Sequence, residues 1–551
     1  MTVGLPEPFP RLKSVQTDDR NPAIRLFGKR FFADQGALEL LAELLGVAFS
    51  HKRIGSGSLI CGRLPAQEEL SHWPDESHLH YRPAVKLNLK LFALLEASRI
   101  DSRPAVHVQH YIDLTRRLEA RIQTNEGSAQ EVVEWLSDLL RGFQGAGATR
   151  TWCAQVFFPI TPAFLARETI WNASVANGDG VDDWDTITQG FAHYFSVNRH
   201  DFLARGGELL YLQLCNALAT DAAVLNGFVA GLRAVEPEAI APEEEDPRQL
   251  HALLERGLQG LSGPSAALDT LVEVIEELDP ETGAAVDRVQ DDEGWLSCEW
   301  CPRESWQEGY LFAVELSRVL QAALDPVERL EMLTVGCVLQ VLRSLCAQSA
   351  RYAGVERTAA PLGYAWLVAP PEGASRPLRL ASQRNLQAVL GLIQRALRAD
   401  ALVENAQHDR TPAEKLYREA DNKYGHKLLL ALGKKLGLIV PYRGPGARFT
   451  MTDSILRYLV LALLRPGERC TYDEFLQRLY LHYGMAIEGE HLTEAAAWSG
   501  FPANSSIQPG NGGWLAASLR AGGFLAELSD AHSIVRNTYA LAEDAPAGGR
   551  A

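Results

Sequence analysis

Between His426 and Thr450 the chain changes its hydrophobic period once, and abruptly. From about His426 to Leu436, the residues Leu429, Leu432 and Leu436 fall on one helical face, while Lys427, Ala431 and Lys434 share another with Lys435 beside it. Gly437 follows, the residue type suited to the left-handed stop of a helix. LGLIVPYRGPGARFTM then reads as strand, Gly/Pro turn, strand. This puts Arg443 near the tip of a hairpin and Arg448 on its return strand. Gly433 costs the helix about 1 kcal/mol relative to Ala, and either a close approach of backbone to a neighbour or a kink would account for it.

Helices are also expected upstream. Residues 383–399 carry Leu386, Val389, Leu392 and Leu397 at helical spacing. A second helix starts at Pro412, with Thr411 as N-cap and Glu414 at the capping-box position. The order then recurs. SILRYLVLALL (454–464) is a helix, and RPGERC turns into Thr471-Tyr472-Asp473-Glu474, which opens a helix through Tyr483 to Gly484. Residues 485–511 are loop-rich with one short helix. GGWLAASLRAGG is a helix closed by Gly522 and Gly523, and FLAELSDAHSIVRNTYAL is a hairpin turning at Ser529-Asp530-Ala531. GHKLLLALGKKLGLIVPYRGPGARFT resembles the recognition helix and wing of winged-helix proteins. The resemblance implies two tandem winged-helix units, at 381–452 and 453–543.

A chain of 551 residues should hold about three to five domains. Residues 1–125 read as a mixed α/β unit, with a helix from Asp34 to about Val47 that turns Leu38, Leu41, Leu44 and Leu45 to one side. Residues 126–235 are helical. Residues 236–295 form an acidic linker and helices, opening in VEPEAIAPEEEDP (Val235–Pro247). Residues 296–380 are helical with a break at Asp325-Pro326, and 544–551 are a disordered tail. The expected class is mainly α with small β-hairpins (α+β), in several domains. Without a long uncharged apolar run or a signal-like start, the chain reads as cytoplasmic, with no membrane contact. Its eight scattered cysteines fit reduced thiols.

Charge is segregated. Residues 236–293 hold seventeen acids and three bases, a net of −14 that nearly equals the whole-chain value of −16. Residues 422–452 hold Lys423, Lys427, Lys434, Lys435, Arg443 and Arg448 and no acid. A basic island in an acidic chain suits a phosphate-binding surface. Arginine at a hairpin tip can contact phosphates or enter a narrow minor groove. The second unit is acidic, its Arg478, Arg520 and Arg536 set against eight acids between 472 and 543, and reads as a packing or partner-binding unit. A second basic cluster, Arg20, Arg25, Lys29, Arg30, Lys52 and Arg53, is interleaved with Phe27, Phe31 and Phe32, which read as core.

Catalytic motifs are lacking. There is no P-loop, no G-x-S-x-G elbow and no Rossmann fingerprint. Cys298-Glu299-Trp300-Cys301 is the one CxxC, but a structural zinc site needs four ligands and no second pair exists. His72, His78 and His80, the group His107, His110 and Asp113, the pairs His200-Asp201 and His408-Asp409, and Asp75-Glu76 each lack companion ligands. No catalytic residue, cofactor or metal is assigned. The chain loosely resembles the large accessory proteins of bacterial anti-phage defence operons, whose ATPases and nucleases are separate subunits. The expected function is a non-enzymatic DNA-binding and scaffolding subunit of a multi-protein complex, holding duplex DNA through Lys427, Lys434, Lys435, Arg443 and Arg448. A metal-dependent nuclease or other hydrolase assembled from distant residues, and a pure protein scaffold, are the alternatives.

Overall fold

The computed structural model describes residues 4–10, 21–28, 31, 35–55, 57, 59–71, 79–82, 112, 115–146, 154–161, 169–170, 206–278, 295–402, 412–502, 513–529 and 532–542. Helices dominate and the sheets are small. Near the N-terminus, α1 (Ala37–Phe49) buries Leu40, Leu41, Leu44 and Leu45, while Leu38, expected inward, is exposed. The strand His51–Ile54 follows, and its neighbours in an antiparallel sheet are Leu59–Ile60 and Leu79–Arg82. The fourth strand of that sheet is Leu296–Ser297, and Pro8–Phe9 pairs with Cys301–Pro302. Residues near 300 thus complete N-terminal ladders.

The centre is built from α2 (Gly206–Leu218), α3 (Pro247–Leu261), α4 (Trp306–Gln321) and α5 (Pro326–Tyr352). Asp325 caps α5 by accepting from the amides of Val327 and Glu328, and Pro326 fills its first position, which explains the break read there. Among the described residues α5 is the single helix long and apolar enough to cross a membrane, and 94% of its apolar stretch is buried inside the fold. Among the described residues the main hydrophobic core runs from Phe9 to Val535, and a smaller cluster gathers Leu367, Leu378, Tyr480 and Leu492.

Val235–Pro247 is not the solvated linker its composition suggests. Ala239, Ile240 and Ala241 are buried, and Glu236 and Glu244 are each 2% exposed. Arg318 of α4 meets Glu244 with Nε at 2.7 Å and Nη2 at 2.5 Å, and donates Nη1 to the Leu463 carbonyl at 2.8 Å. Arg478 donates Nε to Glu236 at 3.0 Å and Nη1 to Glu468 at 2.8 Å. The acids are therefore a strap fastened by arginines. Burying a carboxylate is tolerable because each has a hydrogen-bonded counter-charge.

The C-terminal part follows the expected order. It contains α6 (Arg376–Ala396), α7 (Ala413–Glu419), α8 (His426–Leu436) and a hairpin of Ile439–Val440 with Arg448–Phe449. A π-helical turn, Ala420–Tyr424, joins α7 to α8. Pro412 stands at the start of α7 without a side-chain cap, and Thr411 lies outside the described residues. Next come α9 (Asp453–Leu463), α10 (Tyr472–Tyr483), α11 (Gly489–Trp498) and α12 (Trp514–Ala521). The capping box read at Thr471 and Glu474 is present, at 3.2 and 2.7 Å. Arg469–Thr471, read as a turn, is a strand, and it pairs with His532–Arg536, which in turn pairs with Leu525–Ser529. Asp530 and Ala531 lie outside the described residues.

A short buried segment ties the two C-terminal units together. Trp366–Leu367 pairs in parallel with Met485–Ala486 after α10. The Trp366 amide donates to Gly484 at 2.7 Å, and that of Ala369 donates to Phe449 of the 439–449 hairpin at 3.1 Å. Residues 364–369 are fully buried. Gly484 is left-handed, and a Cβ there would come to 2.7 Å from the Tyr364 carbonyl oxygen, so the crossing requires glycine.

Candidate nucleic-acid interface

The basic helix α8 is placed by its leucines. Leu428, Leu429 and Leu432 are buried, and Leu436, expected inward with them, is half-buried. Gly437 ends the helix at φ 82°. At Gly433 a Cβ would stand 2.6 Å from Ile439 Cδ1, so the Ile439 side chain of the hairpin lies directly on the helix backbone. The close approach, not a kink, accounts for this glycine. Lys427 and Lys435 are exposed and Lys434 is half-buried. Arg443 is exposed in the hairpin turn, next to Tyr442 at 60% exposure. Among the described residues no carboxylate pairs with any of these four cations. Lys423, from the same basic island, is by contrast paired with Glu419 at 3.0 Å.

Arg448 departs from the expected arrangement. It sits on the return strand, but it is half-buried and donates Nη2 to the Pro371 carbonyl at 2.9 Å. Its neighbours come from α6, which starts at Arg376 rather than near 383. Ser375 caps that start, accepting from the Leu378 amide at 3.4 Å, and Pro377 sits in the first turn. Ser-x-Pro is a legible start signal, and reading it would have brought Arg376 and Arg379 into the site. With Arg448, Gln383, Pro441 and Gly446 they line a cleft of about 380 Å³. Burial first, then the charge of Arg379, holds the Arg448 guanidinium below its ordinary pKa.

Two buried polar side chains on α6 fix the hairpin and the 364–369 segment beside it. Ser382 Oγ donates to the Leu367 carbonyl at 2.7 Å and accepts from the Phe449 amide at 3.1 Å. Asn385 accepts from the Leu367 amide at 2.9 Å and donates to the Ala365 carbonyl at 3.1 Å. Trp366 stacks on Phe449 at 5.7 Å between ring centres.

The other candidate residues are placed differently. Lys52 is buried, with Nζ donating to the carbonyls of Val47, Ala48 and Ser50 at 3.2, 2.7 and 2.8 Å, so it closes the C-terminal end of α1. Burial, with Arg63 adding to it, brings this ammonium down to about 8. Arg53 lies over the Trp295 ring at 4.1 Å. Phe27 and Phe31 are core. Arg20, Lys29, Arg30 and Phe32 lie outside the described residues. Cys298 and Cys301 are buried, and burial pushes the Cys301 thiol up to about 12. Among the described residues no group of three or more His, Cys, Asp or Glu is arranged to hold a metal ion. His72, His78, His107, His110, Asp113, Asp75-Glu76, His200-Asp201 and His408-Asp409 lie outside the described residues. His80 is half-buried on the Leu79–Arg82 strand.

Comparison with protein-family models, with curated proteins and with solved structures returned no match to this chain.

Proposed function

We propose that this chain is a non-enzymatic DNA-binding and scaffolding subunit of a multi-protein bacterial complex, and that its two C-terminal units are winged helices. The first would hold duplex DNA, with α8 toward the major groove and the 439–449 hairpin as the wing. One observation carries the reading. Lys427, Lys434, Lys435 and Arg443 stand on α8 and the hairpin turn without carboxylate partners among the described residues. The second unit supports the scaffolding part, because its Arg478 is buried in ion pairs and its Arg520 is paired with Glu527. An apolar patch adds to that support. On the helix Ala129–Arg141, Trp135 is 70% exposed and Leu139, one turn on, is also exposed.

The test is binding of the purified protein to duplex and single-stranded DNA over a salt series, with a Lys434→Ala, Lys435→Ala, Arg443→Ala variant alongside. Four phosphate contacts would give a log–log slope on duplex of about −4, most of which the variant should lose. Absence of binding at low salt would leave the pure-scaffold reading ahead.

A further inference from the structure

We propose that the cleft between the first turn of α6 and the return strand of the 439–449 hairpin is a phosphate-binding site, formed by Arg376, Arg379 and Arg448. The proposal rests on the DNA-binding reading above and adds a second point of contact, since no residue of α8 lines this cleft.

Elsewhere the chain matches its buried guanidiniums to carboxylates, as in Arg318 with Glu244, Arg343 with Glu315 and Arg478 with Glu236. Among the described residues, Arg376, Arg379 and Arg448 have no carboxylate within 4.0 Å, yet all three face one open volume of about 380 Å³. Arg448 spends one donor on Pro371, while its buried Nε has no partner. A guanidinium carries five N–H donors, so most remain for a ligand. The first turn of α6, where a helix favours negative charge, holds no acid. An oxyanion placed there would relieve the repulsion between Arg379 and Arg448 and accept forked hydrogen bonds from both. Gln383, whose amide donates to the Gly446 carbonyl at 3.3 Å, anchors the hairpin wall of the cleft. Three positive charges at one opening suit a phosphate better than a single carboxylate.

A backbone phosphodiester and a 5′-terminal monophosphate offer this same chemistry. The full-length protein and an Arg376→Gln, Arg379→Gln variant are titrated with a short duplex bearing either 5′-hydroxyl or 5′-phosphate ends. Both residues are exposed, so the variant should keep its thermal midpoint. A backbone contact predicts about tenfold weaker binding of both duplexes near 0.1 M salt and a slope shallower by about 1. A terminal contact predicts loss on the 5′-phosphorylated duplex alone. Unchanged affinity and slope on both duplexes, with lysine-dependent binding intact, would overturn the cleft and leave the DNA reading standing. If the wild-type protein binds neither duplex, the DNA reading falls, and inorganic phosphate followed by ³¹P NMR decides the cleft. Saturable binding lost in the variant supports it, and no binding overturns it.

Discussion

The two C-terminal segments, 376–449 and 453–536, each run from helices to a closing antiparallel hairpin and use their cations in opposite ways. In the first, Lys427, Lys435 and Arg443 face solvent without carboxylate partners among the described residues. In the second, Arg478 is buried between Glu236 and Glu468, and its helix also lends His482 and Tyr483 to the carboxylate of Glu315. One leaves its cations facing solvent, and the other uses them to hold the molecule together. Similar elements therefore imply opposite consequences for mutation.

The largest effect is expected inside the second arrangement. Arg478→Met would leave Glu236 buried without its counter-charge and Glu468 with Arg465 alone, and should cost about 3–5 kcal/mol, read as a lowered denaturation midpoint. A loss below about 1 kcal/mol would mean that the strap does not depend on this pair.

The Glu315 cluster gives the next test. Glu315 on α4 faces Arg343 of α5, His482 and Tyr483 of α10, and Tyr458 of α9 joins through Tyr483. Burial alone would raise the Glu315 pKa, but Arg343 and His482 outweigh it and hold the carboxyl below its usual value of 4.5. Burial holds His482 below its usual 6.5, so in the folded protein the imidazole is a neutral hydrogen-bond partner of Glu315. Below pH 6.5 the unfolded chain takes up a proton that the folded imidazole refuses, and below 4.5 the same holds for the carboxyl. Both signs agree. Stability should fall on acidification, first from pH 6.5 and then from 4.5, and His482→Gln should remove the upper stage alone. An acid denaturation profile of the wild type that is flat between those two values would contradict this.

A smaller effect belongs to the first unit. Gly433→Ala gains about 1 kcal/mol of helix propensity but forces its methyl against Ile439, an overpacking cost of about 1–3 kcal/mol. The variant should be destabilised by about 1 kcal/mol, and a stabilised protein would mean that the hairpin shifts freely. Smallest of all is the effect of Lys434→Ala, Lys435→Ala, Arg443→Ala on folding. These side chains lack ion pairs among the described residues, so urea denaturation should change by no more than about 0.5 kcal/mol per site while DNA binding weakens.

Local signals were legible and distant partnerships were not. The leucine spacing and Gly437 gave α8, because each is a property of neighbouring residues, while Gly433 left a close approach and a kink equally open until Ile439 was placed beside it. The start of α6 is written in Ser375 and Pro377, which carry Arg376 and Arg379 with them, but the leucine spacing that marks the helix is plain only from Leu386 on. The strap was out of reach for a different reason. Its acids look solvated until their partners are known, and Arg318 is 74 residues from Glu244 while Arg478 is 242 from Glu236. Nothing local distinguishes a carboxylate facing water from one facing an arginine that far along the chain.

The segment from Tyr364 to Ala369 works as a splint. One side is bonded to the residues that follow α10, and the other to the hairpin that carries Arg443. That piece is bonded to both sides along one short buried stretch. A protein seated on the acidic unit would stand at a set distance and angle from a duplex held by the basic one. If the proposed partners bind there, a pull on either would reach the other through this segment, and the chain would act as a ruler as well as a link.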